Sequence, residues 1–236
     1  MEVKNKVVIV TGASEGIGLA TARLLSQHGA TVVLSARNSH KLQALERELP
    51  NTVAIPADMK NPDDIKSLVD QTVAKFGRVD ILINNAGQAL YGPLHQVSLD
   101  EFESIVELNI FGPLRAMQAV IPYMKKQGGG AIINVSSGTS KMVLPNAGAY
   151  AATKAAMNML SLVARQELEA ENIIVSVIYP YITAAKLGEN AFGREWRPVS
   201  SNAVSKNLPP PHSAEHVASE IIQLIASGEA EKVLTP

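Results

Sequence analysis

Val7-Val8-Ile9-Val10 is apolar at every position, the pattern of a strand covered on both faces rather than one. Similar runs return at Thr31-Val32-Val33-Leu34-Ser35, Thr52-Val53-Ala54-Ile55, Asp80-Ile81-Leu82-Ile83, Ala131-Ile132-Ile133-Asn134-Val135 and Ile173-Ile174-Val175-Ser176-Val177-Ile178. Lys232-Val233-Leu234-Thr235 reads as a final strand. Between these runs the spacing shifts to the helical period. Ile17, Ala20, Leu24 and Leu25 make one inner face, and Leu42, Leu45 and Leu49 a second. Ile65, Leu68, Val69, Thr72, Val73 and Phe76 make a third, opened by Asn61-Pro62 and stopped by Gly77. Ser98-Leu99-Asp100-Glu101 spells a capping box for a long helix reaching to about Lys125. Pro113 inside it removes the backbone bond to Asn109, so a kink is expected there. The freed Asn109 carbonyl would then hold a water or side chain, or the kink would serve packing alone. Further helices are expected from Tyr150 through Leu168 and from Val217 to Ile225. Strands alternating with helices predict an α/β fold, a doubly wound parallel sheet of about seven strands flanked by helices on both faces. One domain spanning residues 1–236 is expected. From 186 to 211 the periodicity fails, with glycines and prolines around Phe192 and Trp196, and this irregular segment reads as a substrate lid.

Composition narrows the partners more than the fold. A net charge of −1 over 236 residues provides no field to attract nucleic acid or anionic lipid. There are no cysteines, which removes disulfides and thiolate metal sites. His212-Ser213-Ala214-Glu215-His216 has the spelling of a zinc-protease helix, but His212 follows three prolines and should not share a helix face with His216, so no metal site is expected. The N-terminus runs into the first strand without a signal peptide, and no membrane span is visible. A cytoplasmic location follows by default.

The chemistry gathers at strand ends. Thr11-Gly12-Ala13-Ser14-Glu15-Gly16-Ile17-Gly18 stands between a strand and a helix, where glycines allow a tight bend and close approach of a pyrophosphate to a helix N-terminus. After the second strand, the place of an acid that would grip ribose hydroxyls holds Ala36, followed by Arg37; this suits a 2′-phosphate, while Glu15 would repel one unless turned to solvent. NADP(H) is therefore preferred over NAD(H). Asp58 and Met59 lie where an adenine could be held, although Asp58 also suits a plain turn. Asn84-Asn85-Ala86-Gly87 can brace the sheet centre and let a cofactor lie close. Ser137 should emerge beyond the fifth strand. Tyr150 and Lys154 lie one helical turn apart, so the ammonium should favour the phenolate and bring the phenol's pKa toward neutrality. A proton-exchanging tyrosine beside a carbonyl-polarising serine is the chemistry this suggests.

Taken in order, the glycine turn from Thr11 to Gly18, Asn84-Asn85-Ala86-Gly87, Asn109, Ser137 and Tyr150-x-x-x-Lys154 resemble the short-chain dehydrogenase/reductase family, in its compact single-domain branch. The resemblance covers almost the whole chain. It implies a Rossmann-type fold and an NAD(P)(H)-dependent oxidoreductase that interconverts a small-molecule carbonyl and a secondary alcohol. By that resemblance Tyr150 is the general acid/base, Lys154 tunes it and binds the nicotinamide ribose, Ser137 rather than Ser136 holds the substrate oxygen, and Asn109 anchors a water. The cofactor residues it implies are Gly12, Ser14, Glu15, Gly16, Ile17, Gly18, Arg37, Asp58, Met59, Asn85, Ala86, Gly87, Tyr150, Lys154, Pro180 and Thr183. The family pattern after the sixth strand has Gly and Thr where this chain has Tyr181 and Ala185; the ring would narrow a substrate mouth formed with Gln88, Leu90, Tyr91, Val143 and the lid. A homotetramer or homodimer is implied as well. A catalytically idle NADP(H) sensor on the same fold is the alternative.

Overall fold

The computed structural model describes residues 1–183, 187, 190–196 and 210–235. Seven parallel strands form one sheet: β1 (Val7–Thr11), β2 (Thr31–Ser35), β3 (Thr52–Ala54), β4 (Ile81–Asn84), β5 (Gly130–Val135), β6 (Ile173–Tyr179) and β7 (Glu231–Val233). Their order is β3-β2-β1-β4-β5-β6-β7, so the winding reverses between β1 and β4. A crevice at the carboxyl ends of the strands is the expected result of such a reversal. The helices are α1 (Gly16–Gln27), α2 (Ser39–Glu48), α3 (Pro62–Phe76), α4 (Leu99–Val106), α5 (Gly112–Lys126), α6 (Gly148–Glu167) and α7 (Ala214–Ser227).

The unbroken apolar runs have a direct structural cause. Val8, Val10, Val32, Leu34, Ile81 and Ile83 face a core shared with Leu25, Leu42, Ile221 and Leu224 of α1, α2 and α7. The alternate positions Ile9, Val33, Leu82 and Ile132 face a second core with Leu68, Val120 and Met157 of α3, α5 and α6. The central strands thus bury both faces, while β3 and β7 at the edges do not, and each fully buried side chain contributes about 1.5–3 kcal/mol by leaving water. The final strand is shifted one residue toward the N-terminus of the expected run, and Leu234 packs into the first core.

The long helix expected from Ser98 to about Lys125 is helical throughout, Leu99 to Lys126, but not regular. Ser98 Oγ accepts the Glu101 N–H at 3.3 Å, as half of the capping box requires. The helix then widens into one π turn, Glu107–Phe111, in which the Gly112 N–H reaches Glu107 O. Pro113 follows this wider turn directly, and the local change of helical register accommodates its ring and missing N–H. Of the expected lid, Phe192 pairs as an isolated bridge with Leu90 and Arg194–Trp196 form a short 3₁₀ turn; residues 197–209 lie outside the described residues, as does Ala185.

Candidate active site

β1 delivers the chain to Gly12, whose φ of +66° is open to glycine at little cost. Gly18 is fixed by contact instead: a Cβ there would lie 2.3 Å from Gly12 O. The turn therefore folds back against the start of α1, and the N-cap residue Glu15 makes no side-chain cap bond. The amide groups beginning α1 are left to an anion. Across the switch point, Thr11 Oγ1 accepts the N–H groups of Asn85 and Ala86 at 3.0 and 3.1 Å, and Asn85 Nδ2 donates to Thr11 O at 2.9 Å. Asn84 Nδ2 donates to Asn134 Oδ1 at 2.8 Å, and Asn134 Nδ2 to Ser161 Oγ at 2.8 Å. The expected bracing is thus explicit: amides stitch β1, β4, β5 and α6 together.

Three elements converge on the reactive groups. Ser137 follows β5 and caps the 3₁₀ turn Gly138–Lys141; its Oγ accepts from Thr139 Oγ1 at 2.9 Å. Its hydroxyl neighbours that of Tyr150, whose pKa it acts to lower. Ser136 is buried beside it, with its Oγ 3.4 Å from Ser140 Oγ. Tyr150 and Lys154 lie on α6, both buried, and open on the same cleft. Lys154 Nζ donates to Val135 O at 2.9 Å and stands 6.0 Å from the Tyr150 ring centroid. A Cβ on Gly87 would lie 3.4 Å from Lys154 Nζ and 3.2 Å from Asn109 Oδ1, so Gly87 alone separates the two. Asn109 itself is committed to the backbone of Gln88, accepting its N–H at 3.0 Å and donating to its carbonyl at 2.9 Å, and it donates to Thr153 Oγ1 at 3.1 Å.

The electrostatics correct one expectation. Burial lowers the Lys154 ammonium to about 8 and raises the Tyr150 phenol well above its usual range. The lysine is therefore already neutral by the pH at which the phenol would ionise, and its near proton partner is the Val135 carbonyl. An acidic Tyr150 is not the resting state. Tyr91, ring centroid 6.5 Å away, packs edge-on against it.

These groups line one cleft of about 1240 Å³ running from α2 to the loops after β5 and β6. Of the residues singled out from the sequence, Gly12, Ser14, Glu15, Gly16, Ile17, Arg37, Asp58, Met59, Asn85, Ala86, Gly87, Ser137, Tyr150, Lys154, Pro180 and Thr183 are on its wall. Gly18 and Asn109 are buried behind it. Glu15 is not simply turned to solvent: it pairs with Lys41 at 3.1 Å and accepts Asn190 Nδ2 at 2.9 Å. Arg37 is exposed and forms no ion pair with any described residue. Asp58 Oδ1 accepts the Lys60 N–H at 3.0 Å, the turn role weighed for it, while still facing the cleft. Two of the expected mouth residues are elsewhere. Leu90 is buried in a core cluster with Ile105, and Val143 points fully into solvent; Met142 and Leu144 take their places on the wall. Sequence reasoning also missed Thr139, Thr153 and Asn190. Their spacing carries no motif; each matters through a partner distant in the chain or in a turn. His212 precedes α7, which Ser213 caps, and its ring lies edge-on to His216 at 4.6 Å; among the described residues no group of three metal-ligating side chains occurs.

Comparison with known proteins agrees with this geometry. The family model described as short chain dehydrogenase matches residues 6–196. An uncharacterized oxidoreductase of Staphylococcus saprophyticus is 36% identical over 199 residues, covering 83% of this chain and 81% of its own. Among solved structures, 3-ketoacyl-(acyl-carrier-protein) reductase from Brucella melitensis, complexed with NADH, superimposes with a TM-score of 0.87 at 26% identity over 98% of this chain and 96% of that one. A short-chain dehydrogenase from Streptomyces avermitilis does so at 0.86 and 28% identity, over 98% and 89%. With a seven-stranded parallel sheet, a glycine turn at its switch point and a family match over most of its length, this chain belongs to the short-chain dehydrogenase/reductase family of oxidoreductases.

Proposed function

We propose that the protein interconverts a carbonyl compound and its secondary alcohol with a nicotinamide dinucleotide, NADP(H) ahead of NAD(H), and that Tyr150 carries the proton. The observation behind this reading is the one cleft that joins the glycine turn to the neighbouring Ser137 and Tyr150 hydroxyls. Its residues fit a dinucleotide: Gly12 and Gly18 let the turn pack closely on itself and on Asn85 beside the cleft, and α1 presents an uncapped N-terminus to a diphosphate. Arg37 and Lys41 stand after β2, where a 2′-phosphate would need cations. Ser14, Gly16, Ile17, Asp58, Met59, Asn85, Ala86, Pro180 and Thr183 complete the proposed cofactor contacts. When bound, the nicotinamide supplies or accepts the hydride.

The residues of this chain do the rest. Ser137 donates to the substrate oxygen and polarises its carbonyl. Tyr150, kept protonated by burial, gives its proton to that oxygen as hydride arrives at the carbon, and takes one back in the reverse reaction. Lys154, with a pKa of about 8, is mostly ammonium near neutral pH and stabilises the phenolate left behind. Asn109 holds the Gln88 backbone and, through Gly87, the wall beside Lys154. We extend the proposal to one domain, a cytoplasmic setting and a homodimer or homotetramer: Met159, Leu160 and Val163 leave an apolar stripe exposed on α6, and a monomer in sedimentation equilibrium would contradict the last point.

Nicotinamide absorbance followed with a ketone panel and each cofactor tests the reading. Wild type should consume NADPH faster than NADH, and Tyr150→Phe should lose at least ~100-fold in turnover while still binding NADPH. Equal turnover by both proteins would remove Tyr150 from its role. Binding without turnover by wild type would favour the idle sensor instead.

A further inference from the structure

The order of the strands sorts the cleft by charge. Arg37 and Lys41 follow β2, Asp58 and Lys60 follow β3, and Glu15 follows β1 and is tied to Lys41. All of these lie on the β1 side of the switch point. On the other side, the wall after β4, β5 and β6 is made by Tyr91, Met142, Leu144 and Tyr181, with Leu187 from the segment beyond β6. Apart from Tyr150 and Lys154, no described side chain on that half of the wall is ionisable at neutral pH other than as a phenol.

Three polar side chains there already have partners. Gln88 Nε2 donates to Asn190 O at 3.0 Å, Asn190 Nδ2 to Glu15 at 2.9 Å, and Thr139 Oγ1 to Ser137 Oγ at 2.9 Å. Tyr181 is held edge-on by His212, centroids 5.8 Å apart, so its ring forms a fixed wall. The apolar character continues outward: Met142, Val143 and Leu187 are all exposed at or beside the mouth. Lys141, next to Met142, is engaged by Glu231 at 2.9 Å.

We infer that the site takes an uncharged carbonyl compound with an apolar body, lying between Tyr91 and Tyr181, and rejects substrates bearing a carboxylate or phosphate next to the reacting carbon. The inference rests on the hydride-transfer reading for the position of that carbon. A carboxylate brought into this half of the cleft would lose its hydration against Tyr91, Met142, Leu144 and Tyr181 and find no guanidinium among the described residues of that wall, while the ammonium there, Lys154, is buried and bonded to Val135 O. A neutral ester of the same shape loses far less.

Ethyl benzoylformate and benzoylformate share one aryl ketone; the ester replaces the carboxylate charge beside it with a neutral ethyl ester. With the full-length protein and NADPH, kcat/KM for the ester should exceed that for the acid by about 100-fold or more, as expected when a site offers a buried charge no partner. A ratio below ten, or preference for the acid, overturns the inference while leaving the hydride-transfer reading intact. Calorimetry on the complex with NADP⁺, which cannot reduce either ketone, supplies a second readout. The ester should bind at least about tenfold more tightly than the acid; equal or tighter binding of the acid overturns the inference even if neither compound is turned over. Absence of turnover with the ester bound would count against the hydride-transfer reading alone.

Discussion

Lys154 is a cation placed where the fold would rather have none. Its pKa in the folded chain is about 8, below the ordinary 10.5, so the unfolded chain holds the proton more tightly. Stability therefore rises with pH between about 8 and 10.5, and near pH 7 the buried ammonium costs the fold its full penalty. Lys154→Met should raise the urea midpoint near pH 7 by an amount worth about 1–2 kcal/mol, after allowance for the lost bond to Val135 O, and should abolish turnover. Near pH 10 most of the gain should vanish. A variant less stable than wild type near pH 7 would mean that the ammonium is well solvated there. The Tyr150 and Lys154 pair was legible from the sequence because helical period alone puts the two on one face. The direction of the phenol's shift was not, because it depends on burial depth and on a carbonyl from β5, neither of which a local motif encodes.

The π turn between α4 and α5 shows how an element can serve a site by departing from regularity. Pro113 was visible, and a kink was the natural expectation; its form depends on Gly112, where a Cβ would lie 2.5 Å from Met59 O. That close approach belongs to tertiary packing. The π turn carries Asn109 at a position where its amide joins Gln88 and Thr153. Asn109→Ala would leave the Gln88 amide and carbonyl without these partners and should cost roughly 2 kcal/mol in urea unfolding. Its turnover should fall as well, because the loop beside Gly87 and Lys154 loses its anchor. Unchanged stability would show that water replaces the amide without loss. The strands, by contrast, could be read almost to the residue, since burial of both faces leaves uninterrupted apolar runs.

At the scale of the molecule, the reversal of strand order opens the cleft, and the loops on its two sides differ in charge, polar toward β3 and apolar toward β6. The glycine turn and the tyrosine, distant in sequence, meet across this one crevice. Their joint membership of it was implied by family resemblance, whereas the wall residues Met142, Leu144 and Asn190 needed the fold. The most direct test of this arrangement is isotopic. NADPH carrying deuterium at its transferable position is incubated with a ketone, and the alcohol is analysed by mass spectrometry for wild type and Tyr150→Phe. The account predicts deuterium on the carbinol carbon from wild type and at least ~100-fold slower transfer by the variant, with cofactor binding retained. Equal transfer by both proteins, or no deuterated alcohol from wild type with cofactor and ketone both bound, would contradict it.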